Sequence, residues 1–143
     1  MKYFLPCIFG ILALLLSMVL SPSVLWAKYP VLETIAFEKA DEREAVRLQL
    51  SSEIEPTIFE IPGEKPRIVL DFKNTIYPLE KSTTIPAGGH LVSKIRVGRH
   101  AEPFAKTRVV MDMVVGVDYS FVKEFNVSDT SLSVIVSRDA TGE

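Results

Sequence analysis

Two segments about forty residues apart share a pattern that limits how this chain can fold. Residues 66–72 read P-R-I-V-L-D-F, and residues 107–113 read T-R-V-V-M-D-M. Side chains of an extended strand alternate between two faces, so the Arg and Asp of each segment share one face with a valine between them. The opposite face of each segment is apolar. We interpret both segments as half-buried strands of a protein built from repeated β units.

Apolar residues recur with a period of two along much of the remaining chain. Eight short runs show this pattern, and residues typical of turns separate them. The runs contain Ile35 and Phe37, Val46 to Leu50, Phe59 and Ile61, Ile68 to Phe72, Ile95 and Val97, Val109 to Met113, Tyr119 to Val127, and Leu132 to Val136. Residues 42–50 also tolerate a short helix, but the strict alternation of Val46, Leu48 and Leu50 favours a strand.

The eight runs fall into two halves that align weakly in identity and more clearly in pattern. The alignment sets Ile35 against Ile95, Val46 against Val109, Leu50 against Met113, and Ile58 against Phe121. One four-stranded antiparallel sheet would leave its apolar face in water, at about 25 cal/mol per Å². We therefore predict an all-β fold, a β-sandwich of two four-stranded sheets from an internally duplicated half, with Asn74 to Gly89 as the crossover. The alignment of the two halves does not set the two Arg/Asp segments against each other. We interpret these segments as equivalent positions in the two packed sheets.

The first 27 residues have the layout of a secretory signal. Lys2 precedes an almost wholly apolar run from Ile8 to Leu20, and Ala27 offers a small residue for cleavage. We predict a signal peptide over residues 1–27 and an exported, periplasmic domain over residues 28–143. The alternative is a retained membrane anchor, although the apolar run is short for the roughly 20 residues of a spanning helix. Contact with a membrane is expected only in that case.

Charge and cysteine content exclude several classes of protein. The 16 basic and 18 acidic residues give a net charge of −2, which does not favour binding to nucleic acid. The only cysteine, Cys7, lies in the predicted signal, so the remaining domain has no disulfide. Between Lys94 and Arg108, however, five basic residues accompany one acid, Glu102. Such a run is either a solvated face or a binding surface.

The sequence offers no set of residues suited to catalysis. Both histidines, His90 and His100, lie in turn-like surroundings and belong to no metal-spaced motif. The chain has no Gly-x-Ser-x-Gly turn, and Gly88-Gly89 is not followed by the Lys of a phosphate-binding loop. We expect no enzymatic activity, no metal and no cofactor.

Outward rows of charge remain as the candidate site. Arg67 and Asp71 form one row, and Arg108 and Asp112 form another. The basic residues Lys94, Arg96 and Arg99 are expected beside the second row. Arginine forks and aspartate acceptors suit a ligand rich in hydroxyl, amide and carboxylate groups, such as a glycan or a peptide. The alternative is that these residues are cross-strand pairs that keep the sheet face soluble.

The run I-R-V-G-R-H at residues 95–100, followed by T-R-V-V-M-D-M, resembles the core of the AMIN domain, as does R-I-V-L-D-F at residues 67–72. The resemblance covers nearly all of residues 29–138. AMIN domains are exported modules found in some N-acetylmuramoyl-L-alanine amidases and in type IV pilus secretins. The resemblance implies two symmetric four-stranded sheets that bind peptidoglycan through motifs on their outer faces. It also implies a role in localising a larger envelope assembly.

The positions that match the family motifs are Arg67, Asp71, Arg96, Arg108 and Asp112. No amidase catalytic domain or secretin ring domain is recognisable before Glu143, so we carry over only the binding role. We expect a non-catalytic module that binds peptidoglycan and positions a partner such as a secretin or an amidase. The alternative is a protein–protein adaptor for such an assembly, with no affinity for glycan.

Overall fold

The computed structural model describes residues 29–78, 83–100 and 103–139, which form nine β-strands. The predicted signal peptide over residues 1–27 lies outside them. No helix in these ranges is long and apolar enough to cross a membrane. The strands are β1 (Leu32–Lys39), β2 (Arg43–Leu50), β3 (Thr57–Ile61), β4 (Arg67–Lys73), β5 (Thr83–Pro86), β6 (Val92–His100), β7 (Lys106–Met113), β8 (Tyr119–Asn126) and β9 (Ser131–Arg138).

The strands form two antiparallel sheets, in the orders β1-β2-β9-β8 and β3-β4-β7-β6-β5. The all-β, sandwich-like prediction is confirmed, and residues 43–50 form a strand rather than a helix. The prediction of two four-stranded sheets is wrong, because a fifth strand, β5, comes from the segment that we assigned to the crossover. Ile85 of β5 packs against the core. Pro86 lies in this edge strand, where its missing N–H costs no ladder hydrogen bond.

The sheet orders show how the two halves combine. If β1 corresponds to β6 and β2 to β7, the order β1-β2-β9-β8 corresponds to β6-β7-β4-β3 in the other sheet. Each half therefore contributes its first two strands to one sheet and its last two to the other. The two Arg/Asp strands, β4 and β7, are neighbours in one sheet. Our interpretation of them as equivalent positions in two packed sheets is therefore wrong.

The inward rows of the central strands form the core. Alternate residues of β2, β4, β7 and β9 are each at most 3% exposed: Val46, Leu48, Leu50, Ile68, Leu70, Phe72, Val109, Met111, Met113, Leu132, Val134 and Val136. Full burial of a side chain of this size contributes about 1.5–3 kcal/mol. A slip of one residue in the pairing of β4 with β7 would turn Arg67 and Asp71 into this core. The apolar rows therefore set the register, and the charged rows face outward as a consequence.

One carboxylate interrupts the apolar interior. Glu44 lies two residues before Val46 on the same face of β2 and is 2% exposed. Its oxygens accept hydrogen bonds from the backbone N–H groups of His90 (2.5 Å), Leu91 (3.0 Å) and Val92 (2.7 Å). These groups belong to the turn between β5 and β6 and to the first residue of β6, so Glu44 connects the four-stranded sheet to the hairpin of the other sheet.

A glycine is required beside this carboxylate. A Cβ atom added to Gly89 would overlap with the side chain of Glu44. The absence of a side chain at residue 89 thus lets the turn approach the carboxylate closely enough for the three N–H groups to bond it.

We predict that Glu44→Ala lowers the free energy of unfolding by about 3 kcal/mol or more, because it leaves three inward N–H groups without an acceptor. Urea unfolding followed by circular dichroism measures the change. Glu42→Ala is the control, since Glu42 is exposed in the turn before the same strand, and its effect should stay within about 0.5 kcal/mol. Equal effects of the two substitutions would contradict the structural role of Glu44.

Candidate binding face

The outer face of the five-stranded sheet, here called the charged face, carries all five predicted site residues. Pairing of β4 with β7 sets Arg67 opposite Asp112 and Asp71 opposite Arg108. Since the two copies of the motif run antiparallel, each arginine lies across from the aspartate of the other copy. Arg96 joins them from β6, where it lies opposite Val110.

Two bidentate ion pairs connect four of the five residues. Arg108 donates from Nε and Nη2 to the two oxygens of Asp71, at 2.6 and 2.7 Å. Arg96 donates in the same way to Asp112, at 2.6 and 2.8 Å. Parallel N–H···O bonds of this kind are about twice as strong as neutral hydrogen bonds and fix the plane of the guanidinium. Arg96 and Arg108 are therefore held in defined orientations on the charged face.

Arg67 is the exception in this set. Its directly opposed aspartate, Asp112, pairs diagonally with Arg96 instead. In the part of the chain that the structure describes, the side chain of Arg67 makes no hydrogen bond or ion pair, although it is half-buried. A guanidinium carries five N–H donors, and burial without acceptors is unfavourable. Arg67 is thus the member of the set that has donors to offer to a ligand.

The charged face has an excess of positive charge within a chain whose net charge is −2. The strand registers place six basic and two acidic side chains on it: Arg67, Lys73, Lys94, Arg96, Lys106, Arg108, Asp71 and Asp112. Arg99, which we expected beside the second row, lies opposite Thr107 and therefore points to the other side of the sheet. The surface suits a ligand with negative groups.

An apolar stripe crosses the charged face between the rows of charge. Phe59, Val69 and Val110 lie side by side on β3, β4 and β7. Phe59 is 37% exposed, whereas Val69 in the middle of the stripe is 2% exposed. The guanidinium carbon of Arg108 lies 5.8 Å from the centre of the Phe59 ring. The cation–π contact with Phe59 at this distance also restrains the side chain of Arg108. The face therefore combines an apolar strip with oriented donors on both sides of it.

The ion pairs also set the protonation states. Hydrogen bonds from Arg108, more than those from Lys106, hold the pKa of Asp71 below its usual range. The Asp71 carboxylate in turn raises the pKa of Arg108, and Asp112 raises the pKa of Arg96 in the same way. Asp71, Arg96 and Arg108 therefore remain ionised at neutral pH.

Sequence reasoning missed Lys106, whose Nζ lies 3.3 Å from Oδ2 of Asp71. The available signal was its position two residues before Arg108, which places both on one face of β7. Across the described residues, no cluster of three or more His, Cys, Asp or Glu side chains has the arrangement of a metal site.

The opposite outer face has a different composition at the corresponding positions. Matching β2 to β7 and β9 to β4 through their registers gives Ala45 for Arg108, Gln49 for Asp112, Ile135 for Asp71 and Ser131 for Arg67. The resemblance implied motifs on both outer faces. In this protein the Arg/Asp set lies on the five-stranded sheet alone, which makes the two faces chemically distinct.

We predict that Asp71→Asn lowers the free energy of unfolding by about 1–2 kcal/mol at pH 7, because it breaks a half-buried bidentate pair. The folded pKa of Asp71 is depressed, so its contribution is full above the unfolded value of about 3.9 and is lost as the pH falls through the folded pKa. The difference between wild type and variant should therefore shrink below about pH 4. Urea unfolding at several pH values measures it, with exposed Asp41→Asn as control. A difference that persists at low pH would contradict the ion pair.

Searches of curated proteins and of solved structures gave no significant match. The model of one family, the AMIN domain, matches residues 34–136. AMIN domains are a non-catalytic family known in periplasmic modules that bind or target peptidoglycan. The match runs from β1 to β9 and includes both Arg/Asp strands. The chain therefore belongs to the AMIN domain family.

Proposed function

We propose that this protein is a non-catalytic peptidoglycan-binding and localisation module of the periplasm, and that the charged face is its binding surface. The observation that carries the proposal is Arg67, a half-buried arginine with no partner in the described residues, beside two arginines whose orientation is fixed by aspartates. The membership of the chain in the AMIN domain family supports the same class of ligand.

The chemistry of peptidoglycan matches this surface at three points. Its stem peptides carry carboxylates, which suit the excess of basic side chains. Its amide and hydroxyl groups are acceptors for the N–H donors of Arg67. Its sugar rings present C–H faces that can cover the apolar stripe around Phe59, as apolar surface with a few placed polar groups is usual in ligand sites.

The four paired residues have a positioning role in this proposal. Asp71 and Asp112 use both carboxylate oxygens on Arg108 and Arg96, so their acceptors are largely occupied. The arginines keep their remaining N–H donors for the ligand. We expect loss of either aspartate to weaken binding through disorder of its arginine.

Localisation and partners complete the proposal. We propose that residues 1–27 direct export and that the domain over residues 28–143 functions in the periplasm. There the domain, bound to the wall, would position an envelope assembly such as a secretin or an amidase. The second candidate is an adaptor that docks such an assembly without binding glycan. The observation in its favour is β8, an eight-residue edge strand on which Val122 is 56% exposed, because an open strand edge can pair with a partner strand.

We predict that the purified domain sediments with wall sacculi and that Arg67→Ala reduces its affinity about tenfold, since each lost charged hydrogen bond costs roughly 1.5 kcal/mol or more. Arg47→Ala is the matched control. Arg47 lies on the outer face of the other sheet and pairs with Asp129, so its removal should leave sedimentation unchanged.

The same assay separates the two candidate functions. A folded wild-type domain that does not sediment with sacculi at all would exclude peptidoglycan binding and favour the adaptor. Equal losses for Arg67→Ala and Arg47→Ala would show that the charged face has no special role.

A further inference from the structure

A groove lies at one end of the charged face, beside the connection between β6 and β7. Its volume is about 660 Å³, within the range of roughly 300–1,000 Å³ that is usual for small-ligand sites. Residues of β3, β4, β6 and β7 and of the adjoining turns line it: Thr57, Asp71, Lys73, Asn74, His100, Pro103, Phe104, Ala105 and Lys106. Among these, only Asp71 belongs to the set predicted from the sequence.

The groove carries basic side chains in a row. The register places Lys73 opposite Lys106, and Lys106 opposite His100. Among the lining residues that the structure describes, Asp71 is the one acidic residue, and its oxygens already accept hydrogen bonds from Arg108 and Lys106. The exposed Lys73 has no ion pair within the described ranges. The groove therefore favours a ligand with a negative group.

An exposed aromatic ring forms part of the same wall. Phe104 is 80% exposed, and apolar surface left in water costs about 25 cal/mol per Å². Covering this ring with an apolar part of a ligand would remove that cost. A small inorganic anion could satisfy the lysines but would leave Phe104 in water.

A backbone hydrogen bond joins two parts of the groove wall. Asn74 has a φ of 51°, a left-handed conformation that Asn tolerates better than most residues. Its N–H donates to the carbonyl oxygen of Ala105 at 2.8 Å, which connects the end of β4 to the segment that carries Phe104. This hydrogen bond holds Ala105, next to Phe104, against the end of β4, which reduces the ordering needed on binding.

We propose that this groove binds a carboxylate-bearing stem peptide of peptidoglycan. The peptide carboxylate would pair with Lys73 and Lys106, and an aliphatic side chain of the peptide would cover Phe104. The glycan would continue along the apolar stripe of the charged face. This inference rests on the proposed function, but it assigns the peptide to a part of the surface that does not include Arg67.

Calorimetric titration with muramyl dipeptide, which has one free carboxylate, tests the assignment. We expect binding, and at least tenfold weaker binding of the same compound with its carboxylate amidated. Lys73→Ala and Phe104→Ala should each weaken binding at least fivefold. Both residues are exposed, so the variants should keep the wild-type circular dichroism spectrum.

Two substitutions at exposed sites elsewhere serve as matched controls. Lys123→Ala removes an exposed lysine of β8 that pairs with Glu55, and Val115→Ala removes an exposed apolar side chain that is 67% accessible. Neither should change the affinity for muramyl dipeptide.

Three results would overturn the inference: no binding of muramyl dipeptide by the wild-type domain, binding that Lys73→Ala and Phe104→Ala leave unchanged, or displacement by inorganic phosphate at equal affinity. If sacculi still retain the domain in an Arg67-dependent manner in any of these cases, the proposed function stands and only the peptide groove fails. If the domain binds neither muramyl dipeptide nor sacculi, the proposed function itself is wrong.

Discussion

The pairing register of β4 and β7 determines both the core and the charged face. Ile68, Leu70 and Phe72 are buried against the other sheet, and a shift of one residue would exchange them with the charged row. Burying an arginine or aspartate without its partner costs several kcal/mol, so the shifted register is strongly unfavourable. The hydrophobic interior thus places the two Arg/Asp motifs antiparallel, side by side and in contact with solvent.

The two sheets have chemically different outer faces. Both sheets share a strand order, but the positions of the Arg/Asp set correspond to uncharged residues in the four-stranded sheet. The five-stranded sheet also has β5, whose turn to β6 is bonded to the inward carboxylate of Glu44. This extra hairpin extends the charged face beyond β6. The shared strand order therefore supplies the scaffold, and the outward residues, which do not contribute to the core, give one face its charge.

The sequence predicted the features that depend on alternation, including most strands, the two-sheet packing and the outward position of the five site residues. It missed features that depend on contacts between distant segments. Strand β5 is only four residues long and ends in Pro86, so its pattern is weak. The partner of Arg96 follows from a diagonal contact between β6 and β7, and the partners of Glu44 lie 46 to 48 residues further along the chain. Phe104 lies in a turn, where no periodicity indicates exposure.

In the function proposed above, one face of the sandwich contacts the cell wall. Hydroxyl-radical footprinting of the domain bound to sacculi tests this claim directly, because it reports the accessibility of individual side chains. Phe59 on the charged face and Val122 on the outer face of the other sheet are both accessible in the free protein, at 37% and 56%. The account predicts that sacculi protect Phe59 and leave Val122 unchanged. Protection of Val122 without protection of Phe59 would contradict it.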